Sequence, residues 1–212
     1  LDATPLDAAI DAGIDATPAC VPAACPFGCD MTTNACRDGN LWIFRTAAAF
    51  FGNEFGGGDA PPNVRGGADA KCLETYALVY SARGCSSNRV HAILHVNNTD
   101  SIPLMATKYG IPTAAPVNRA EDNVLISNNW NELTDSTRAL RAPPTTATTD
   151  AAGLVWMGAN TVSTCVNWTS AASTESGARG YGNHMEAGWF NEDTSRCDRA
   201  AGLLCICWAD GQ

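Results

Sequence analysis

The chain contains no apolar run of the ~18 residues that a membrane-spanning helix requires, and no basic-then-apolar leader. It is also short of cations, with 13 Lys and Arg against 22 Asp and Glu and a formal charge of −9. Nucleic acid, heparin-like polyanions and anionic membranes all need a basic face, so none is expected as the main partner, and membrane insertion is not expected either. A Gly-x-Ser-x-Gly elbow, a His-Glu-x-x-His pair and a Gly-x-Gly-x-x-Gly turn after a strand are all absent. These absences point away from an enzyme. The carboxylates Glu186, Glu192 and Asp193 are a weak counter-sign, because glycosidase chemistry depends on a carboxyl separation that sequence does not give.

Cysteine, by contrast, is plentiful: there are ten, an even number. Seven residues separate Cys197 from Cys205, Cys165 belongs to the same part of the chain, and Cys72 lies far upstream. This wide spread fits nested disulfides better than a metal cluster, and therefore an oxidising compartment. The expectation is a mature exported chain whose signal has been removed, located outside the cell or on a bacterial cell surface.

Three segments differ in composition. Residues 1–19 repeat an acidic-Ala unit and include Asp2, Asp7, Asp11 and Asp15, with no aromatic residue. Such low-complexity sequence does not bury enough apolar surface to fold alone. One reading is a solvated spacer; the other uses Leu1, Leu6, Ile10 and Ile14, about four apart, as anchors docking on a neighbouring subunit. Residues 20–40 carry Cys20, Cys25, Cys29 and Cys36, too small a piece for a core, and are read as a disulfide-held stalk. Four cysteines allow three pairings; 20–29 with 25–36 is one. Zinc is disfavoured because a tight Cys-x-x-Cys pair is missing.

From Leu41 to the end the pattern is that of a mixed α+β domain with much irregular structure. Leu41-Trp-Ile-Phe-Arg-Thr reads as a first strand. Asp69 is expected to cap a helix reaching Arg83, with Cys72, Leu73, Tyr76, Val79 and Tyr80 on its apolar stripe and Gly84 as its stop. Further strands are expected at 89–96, 124–126, 154–156 and 203–208. The glycine-rich stretch from Phe55 to Gly67 lacks the Lys-Ser/Thr of a phosphate loop. His91 and His95 would share one face of a strand, and with only His184 left to complete a zinc site a paired structural role is expected. Asn97-Asn-Thr99 and Asn167-Trp-Thr169 match the short glycosylation pattern.

Five landmarks occur in order: Gly66-Gly-Ala-Asp-Ala-Lys-Cys72, Val124-Leu-Ile-Ser-Asn-Asn-Trp130-Asn-Glu-Leu133, Val155-Trp-Met-Gly158, Cys165-Val-Asn-Trp-Thr169, and Cys197 to Cys205-Ile206. Over roughly residues 41–208 the chain resembles a bacterial endostatin-like domain of the C-type lectin fold superfamily, similar to the leptospiral endostatin-like surface proteins. It departs from endostatin in having Cys85 and Cys207, and in lacking an evident basic heparin surface and histidines near its start.

The resemblance implies bridges Cys72–Cys205 and Cys165–Cys197, which leaves Cys85 for Cys207. Cys205 and Cys207 are expected to bond to opposite sides of their strand. Sugar-binding lectins hold calcium with a Trp-Asn-Asp run and a second Glu-Pro-Asn or Gln-Pro-Asp run. Here Trp189-Phe-Asn191-Glu192-Asp193 takes a similar place, while the second run is absent. No cofactor is therefore expected, with calcium the one ion left open. Any sugar site would draw on Tyr181, Trp189, Asn191 and Asp193.

The implied function is a lectin-like adhesion module that meets a protein or glycan through loops near 97–120 and 170–190, as relatives in the leptospiral group adhere to host matrix proteins. The alternative is a self-assembling subunit of a filament or surface layer, with residues 1–19 inserted into the next copy.

Overall fold

The computed structural model describes residues 29–30, 35–36, 39–55, 63–158, 164–190 and 192–209, and the chain divides into two units, residues 1–38 and 39–212. Leu1, Leu6, Ile10, Ile14, Cys20 and Cys25 lie outside the described residues. In the first unit β1 (Cys29–Asp30) and β2 (Ala35–Cys36) pair antiparallel, with Cys29 opposite Cys36. The bonding of the four cysteines in this unit also falls outside the described residues.

The second unit is a mixed α+β structure around one mixed sheet. Its first strand, β3 (Leu41–Arg45), has Leu41, Ile43 and Phe44 fully buried. Helix α1 (Val64–Thr75) follows, then one π-type turn at Tyr76–Tyr80 and a 3-10 turn at Ser81–Arg83. Gly84 stops this helical run with φ of 71°, a left-handed conformation that glycine adopts without penalty.

Two details of the expected helix are corrected here. It starts at Val64, so Asp69 lies inside it instead of capping it, and its carboxylate accepts from the backbone N–H of Ala92 (2.8 Å) and pairs with His91 Nδ1 (2.9 Å). The π-type turn rotates Leu78 and Val79 into solvent, and Val79 is 57% exposed where a core position was expected.

Strand β4 (Val90–Ala92) is much shorter than its apolar run: Ile93 N still meets Leu204 O of β10 in register (2.7 Å), and beyond it the backbone turns to other partners, His95 N to Met157 O (2.8 Å) and Val96 N to Asp100 O (2.8 Å). Helix α2 (Met105–Tyr109), β5 (Val117–Arg119), β6 (Leu125–Ser127), α3 (Trp130–Leu133), α4 (Asp150–Gly153), β7 (Leu154–Trp156), β8 (Ser176–Tyr181), β9 (Asp193–Arg196) and β10 (Gly202–Cys207) complete the unit. The strand order is β6-β5-β3-β10-β7-β8-β9, and β4 also pairs with β10. The all-apolar Gly-Leu-Leu-Cys-Ile-Cys run of β10 is buried at every position, as a strand covered on both faces must be.

Three disulfides join Cys72 to Cys205, Cys85 to Cys207 and Cys165 to Cys197. These are the pairs that the resemblance implied. Cys205 and Cys207 are two residues apart on β10 and therefore point to the same face, toward α1 and the segment after it, so the opposite-sides expectation is wrong. The Cys72–Cys205 bridge spans 133 residues, and closing so long a loop in the unfolded chain contributes about 5 kcal/mol on the chain-entropy account.

Five tryptophans are almost wholly buried: Trp130, Trp156, Trp168, Trp189 and Trp208. Three of them satisfy the indole N–H on a backbone carbonyl: Trp156 on Phe50 (2.8 Å), Trp168 on His95 (2.9 Å) and Trp189 on Leu133 (3.3 Å). Among the described residues no helix is long and apolar enough to cross a membrane.

Candidate functional site

Strand β8 ends at Tyr181, and the connection to β9 folds back on itself. His184 N donates to Tyr181 O (3.0 Å), Trp189 N to Glu186 O (3.2 Å) and Tyr181 N to Trp189 O (3.3 Å). The Trp189 ring is only 1% exposed, and its N–H reaches Leu133 at the end of α3. Trp189 is thus an anchor for the connection, and its buried ring presents no open face for the sugar contact that a lectin-like site would have drawn from it. A second tie, Leu140 N to Met185 O (2.7 Å), holds the segment after α3 against the same connection.

That segment lines a polar groove. Asn129 begins α3 with its Oδ1 accepting from Glu132 N (2.9 Å), an Asn-x-x-Glu pattern readable in the sequence as a helix start. The cavity, about 480 Å³ and open to solvent, is bordered by Asn129, Asn131, Glu132, Asp135 and Arg138, with Thr113 and Ala114 opposite. Arg138 bridges Glu132 (3.1 Å) and Asp135 (3.5 Å). The Thr137 hydroxyl and N–H hold the Asp135 carboxyl below its ordinary pKa. Two carboxylates tied by one guanidinium, with the amides of Asn129 and Asn131 beside them, offer both donors and acceptors to a ligand rich in hydroxyl or amide groups. Thr113 and Ala114 belong to the 97–120 loop expected to meet a partner, whereas the residues from Asn129 to Arg138 stood outside the expected contacts; the Asn-Trp-Asn-Glu run at 129–132 was noticed only as a landmark.

The other expected contacts fall on the adjoining β8–β9 face. Tyr181 is half-buried, its ring stacked on His184 (centroids 4.8 Å apart) and its hydroxyl accepting from Arg179 (3.2 Å). Asp193, at the start of β9, accepts from Arg179 Nη2 (2.7 Å), which lowers its pKa. Asn191 lies outside the described residues. The sequence reading missed the grouping around His184. Its Nδ1 meets Glu192 (2.7 Å) and its Nε2 meets Asp150 (3.0 Å), while Asn183 also donates to Asp150 (2.9 Å). Burial pushes the His184 pKa down, but the bonds to Glu192 and Asp150 outweigh it and raise it.

Of the expected 97–120 loop, the first half is structural. Arg65 pairs with the buried Asp100 (2.8 Å) and also donates to Leu94 O (2.5 Å), and Tyr109 and Lys108 close on the same carboxylate (2.8 and 3.0 Å). His91 and His95 do not act as a pair. His91 bonds Asp69 and packs on Tyr109 and Trp208, whereas His95 is buried beyond the end of β4.

No protein-family model matches this chain, and a search of the curated proteins returns no match.

Proposed function

We propose that this chain is a non-catalytic extracellular adhesion module whose second unit is an endostatin-like, C-type lectin-like domain that binds a protein or glycan partner. The observation that carries the reading is the polar groove at 129–138, in which Arg138 ties the carboxylates of Glu132 and Asp135, beside a sheet stapled by three disulfides. A prearranged groove spends little of its binding energy on ordering side chains. The ordered landmarks and the three bridges support the domain type, and disulfides of this number belong to oxidising compartments, which supports display outside the cell. The acidic balance favours neutral or basic ligands over polyanions.

The test is binding of the oxidised full chain to a panel of immobilised glycans and matrix proteins, beside Asn131→Ala and Arg138→Ala. Both residues are exposed, so neither change disturbs the core. A partner bound by the parent and at least ~10-fold more weakly by either variant, a change of about 1.4 kcal/mol, supports the reading. Equal binding by all three proteins places the contact elsewhere and sinks it.

A further inference from the structure

We propose that His184, Glu186 and Glu192 form a binding site for one divalent metal ion of zinc's type. An imidazole nitrogen from His184 and one carboxylate oxygen from each glutamate lie within 4.8 Å of one another. Around a tetrahedral ion with bonds of ~2.0–2.1 Å, neighbouring ligand atoms sit roughly 3.4 Å apart. His184 Nδ1 is now 2.7 Å from Glu192 and 4.0 Å from Glu186, so Glu192 drawing back and the well-exposed Glu186 closing in, each by less than about 1 Å, bring the three into place.

Two observations separate this group from an ordinary acidic surface. The first is the orientation of the ring. Asp150 occupies Nε2 (3.0 Å), and Asn183 steadies that carboxylate. As the ring stands, Nδ1 donates to Glu192 (2.7 Å); an ion that replaces that proton would meet the Nδ1 lone pair between the two glutamates while Nε2–H stays on Asp150, the carboxylate–histidine–metal order in which an outer carboxylate fixes the ligating tautomer. The stack of Tyr181 on His184 holds the ring plane as well.

The second is the charge. Among the described residues the salt bridges of Asp150, Glu186 and Glu192 all run to the single imidazole of His184. The neighbouring cation, Arg179, is paired with Asp193. Three carboxylates therefore share at most one positive charge, and a divalent ion would balance the excess. One nitrogen with two carboxylate oxygens suits zinc, whereas calcium takes six to eight oxygens and no imidazole. Three protein ligands leave a position for water or a ligand group.

The test uses the full oxidised chain, dialysed against chelator and titrated with Zn²⁺ in competition with a chromophoric chelator. His184→Ala, Glu186→Gln and Asp150→Asn are run alongside. The expected result is one Zn²⁺ per chain, with affinity lost in His184→Ala, lowered at least ~10-fold in Glu186→Gln, and lowered ~10–100-fold in Asp150→Asn through the outer contact. Glu186 makes no core contact, so its variant stays folded. Histidine ¹⁵N spectra of the parent should show Nδ1 shifted by metal and Nε2 still protonated. Zn²⁺ uptake that is absent, or equal in the parent, His184→Ala and Glu186→Gln, would overturn the site and leave His184 as an ion-pair partner. Uptake of Ca²⁺ in place of Zn²⁺ would overturn it equally.

Discussion

The indole N–H of Trp189 reaches the carbonyl of Leu133 at 3.3 Å, joining the β8–β9 connection to the helix that borders the polar groove. Removing that ring should loosen both. Trp189→Ala is expected to cost about 3–5 kcal/mol, as large-to-small changes at buried aromatics do. Trp189→Phe keeps much of the packing and loses the hydrogen bond, at about 1 kcal/mol. Chemical denaturation of the three proteins checks the order.

Glycine at 177 is fixed by the bridge beside it. A Cβ there would lie 2.8 Å from Cys165 Sγ and 2.9 Å from the Trp156 ring, and one at Gly52 would lie 2.5 Å from the same sulfur. Gly177→Ala is therefore expected to destabilise by roughly 1–3 kcal/mol, the cost of overpacking a closed core. A melting curve with no downward shift would contradict this.

Beside that bridge the chain makes a left-handed turn. Cys165, Val166, Asn167 and Trp168 have φ of 49°, 55°, 55° and 61°. A β-branched side chain suits this region poorly, and Val166 is 52% exposed, so it contributes little packing in return. Val166→Gly should raise stability by about 1 kcal/mol, read as a higher melting temperature.

Glu121 is half-buried, with its Oε2 out of reach of solvent. Among the described residues its Oε2 has no hydrogen-bond partner, and burial raises its pKa; the neighbouring Tyr80 is pushed up to about 12, by burial first and then by Glu121. An acid whose folded pKa lies above its unfolded value of ~4.3 gives its stabilising contribution in full below that value and loses it as pH rises through the folded one. Glu121→Gln should accordingly stabilise by roughly 1 kcal/mol at pH 7 and change little at pH 3. Melting curves at the two pH values test the sign.

His95 works in the opposite direction. Burial lowers its pKa, so the unfolded chain takes up a proton near 6.5 before the folded one does. Stability from this group is complete above pH 6.5 and declines as pH falls toward the folded value. A parent whose loss of stability below pH 6.5 is blunted by His95→Gln is the expected outcome; identical slopes would count against it.

The sequence made the centre of the fold legible and its edges obscure. The all-apolar run at 202–207 and the aromatic run at 41–45 are strands because both are buried on two faces. β8, Ser-Gly-Ala-Arg-Gly-Tyr, was invisible: its two interior glycines carry no β propensity, and Gly177 is there to clear the Cys165 sulfur. The inward orientation of Trp189 was not legible, because a tryptophan in a polar loop looks the same in sequence whether it faces out or anchors the loop inward. The His184 group was hidden for another reason, since Asp150 joins it from 34 residues away, a closeness produced by α4 meeting the β8–β9 connection.

The most direct test of the central claim is amide NMR of the oxidised chain, titrated with the partner that binds most tightly from the glycan and matrix-protein panel. The account predicts that the largest shift changes fall on 129–138 and the adjoining β8–β9 connection, and that Arg138→Ala abolishes them. Changes confined to another face of the sheet, or surviving Arg138→Ala unaltered, would contradict it.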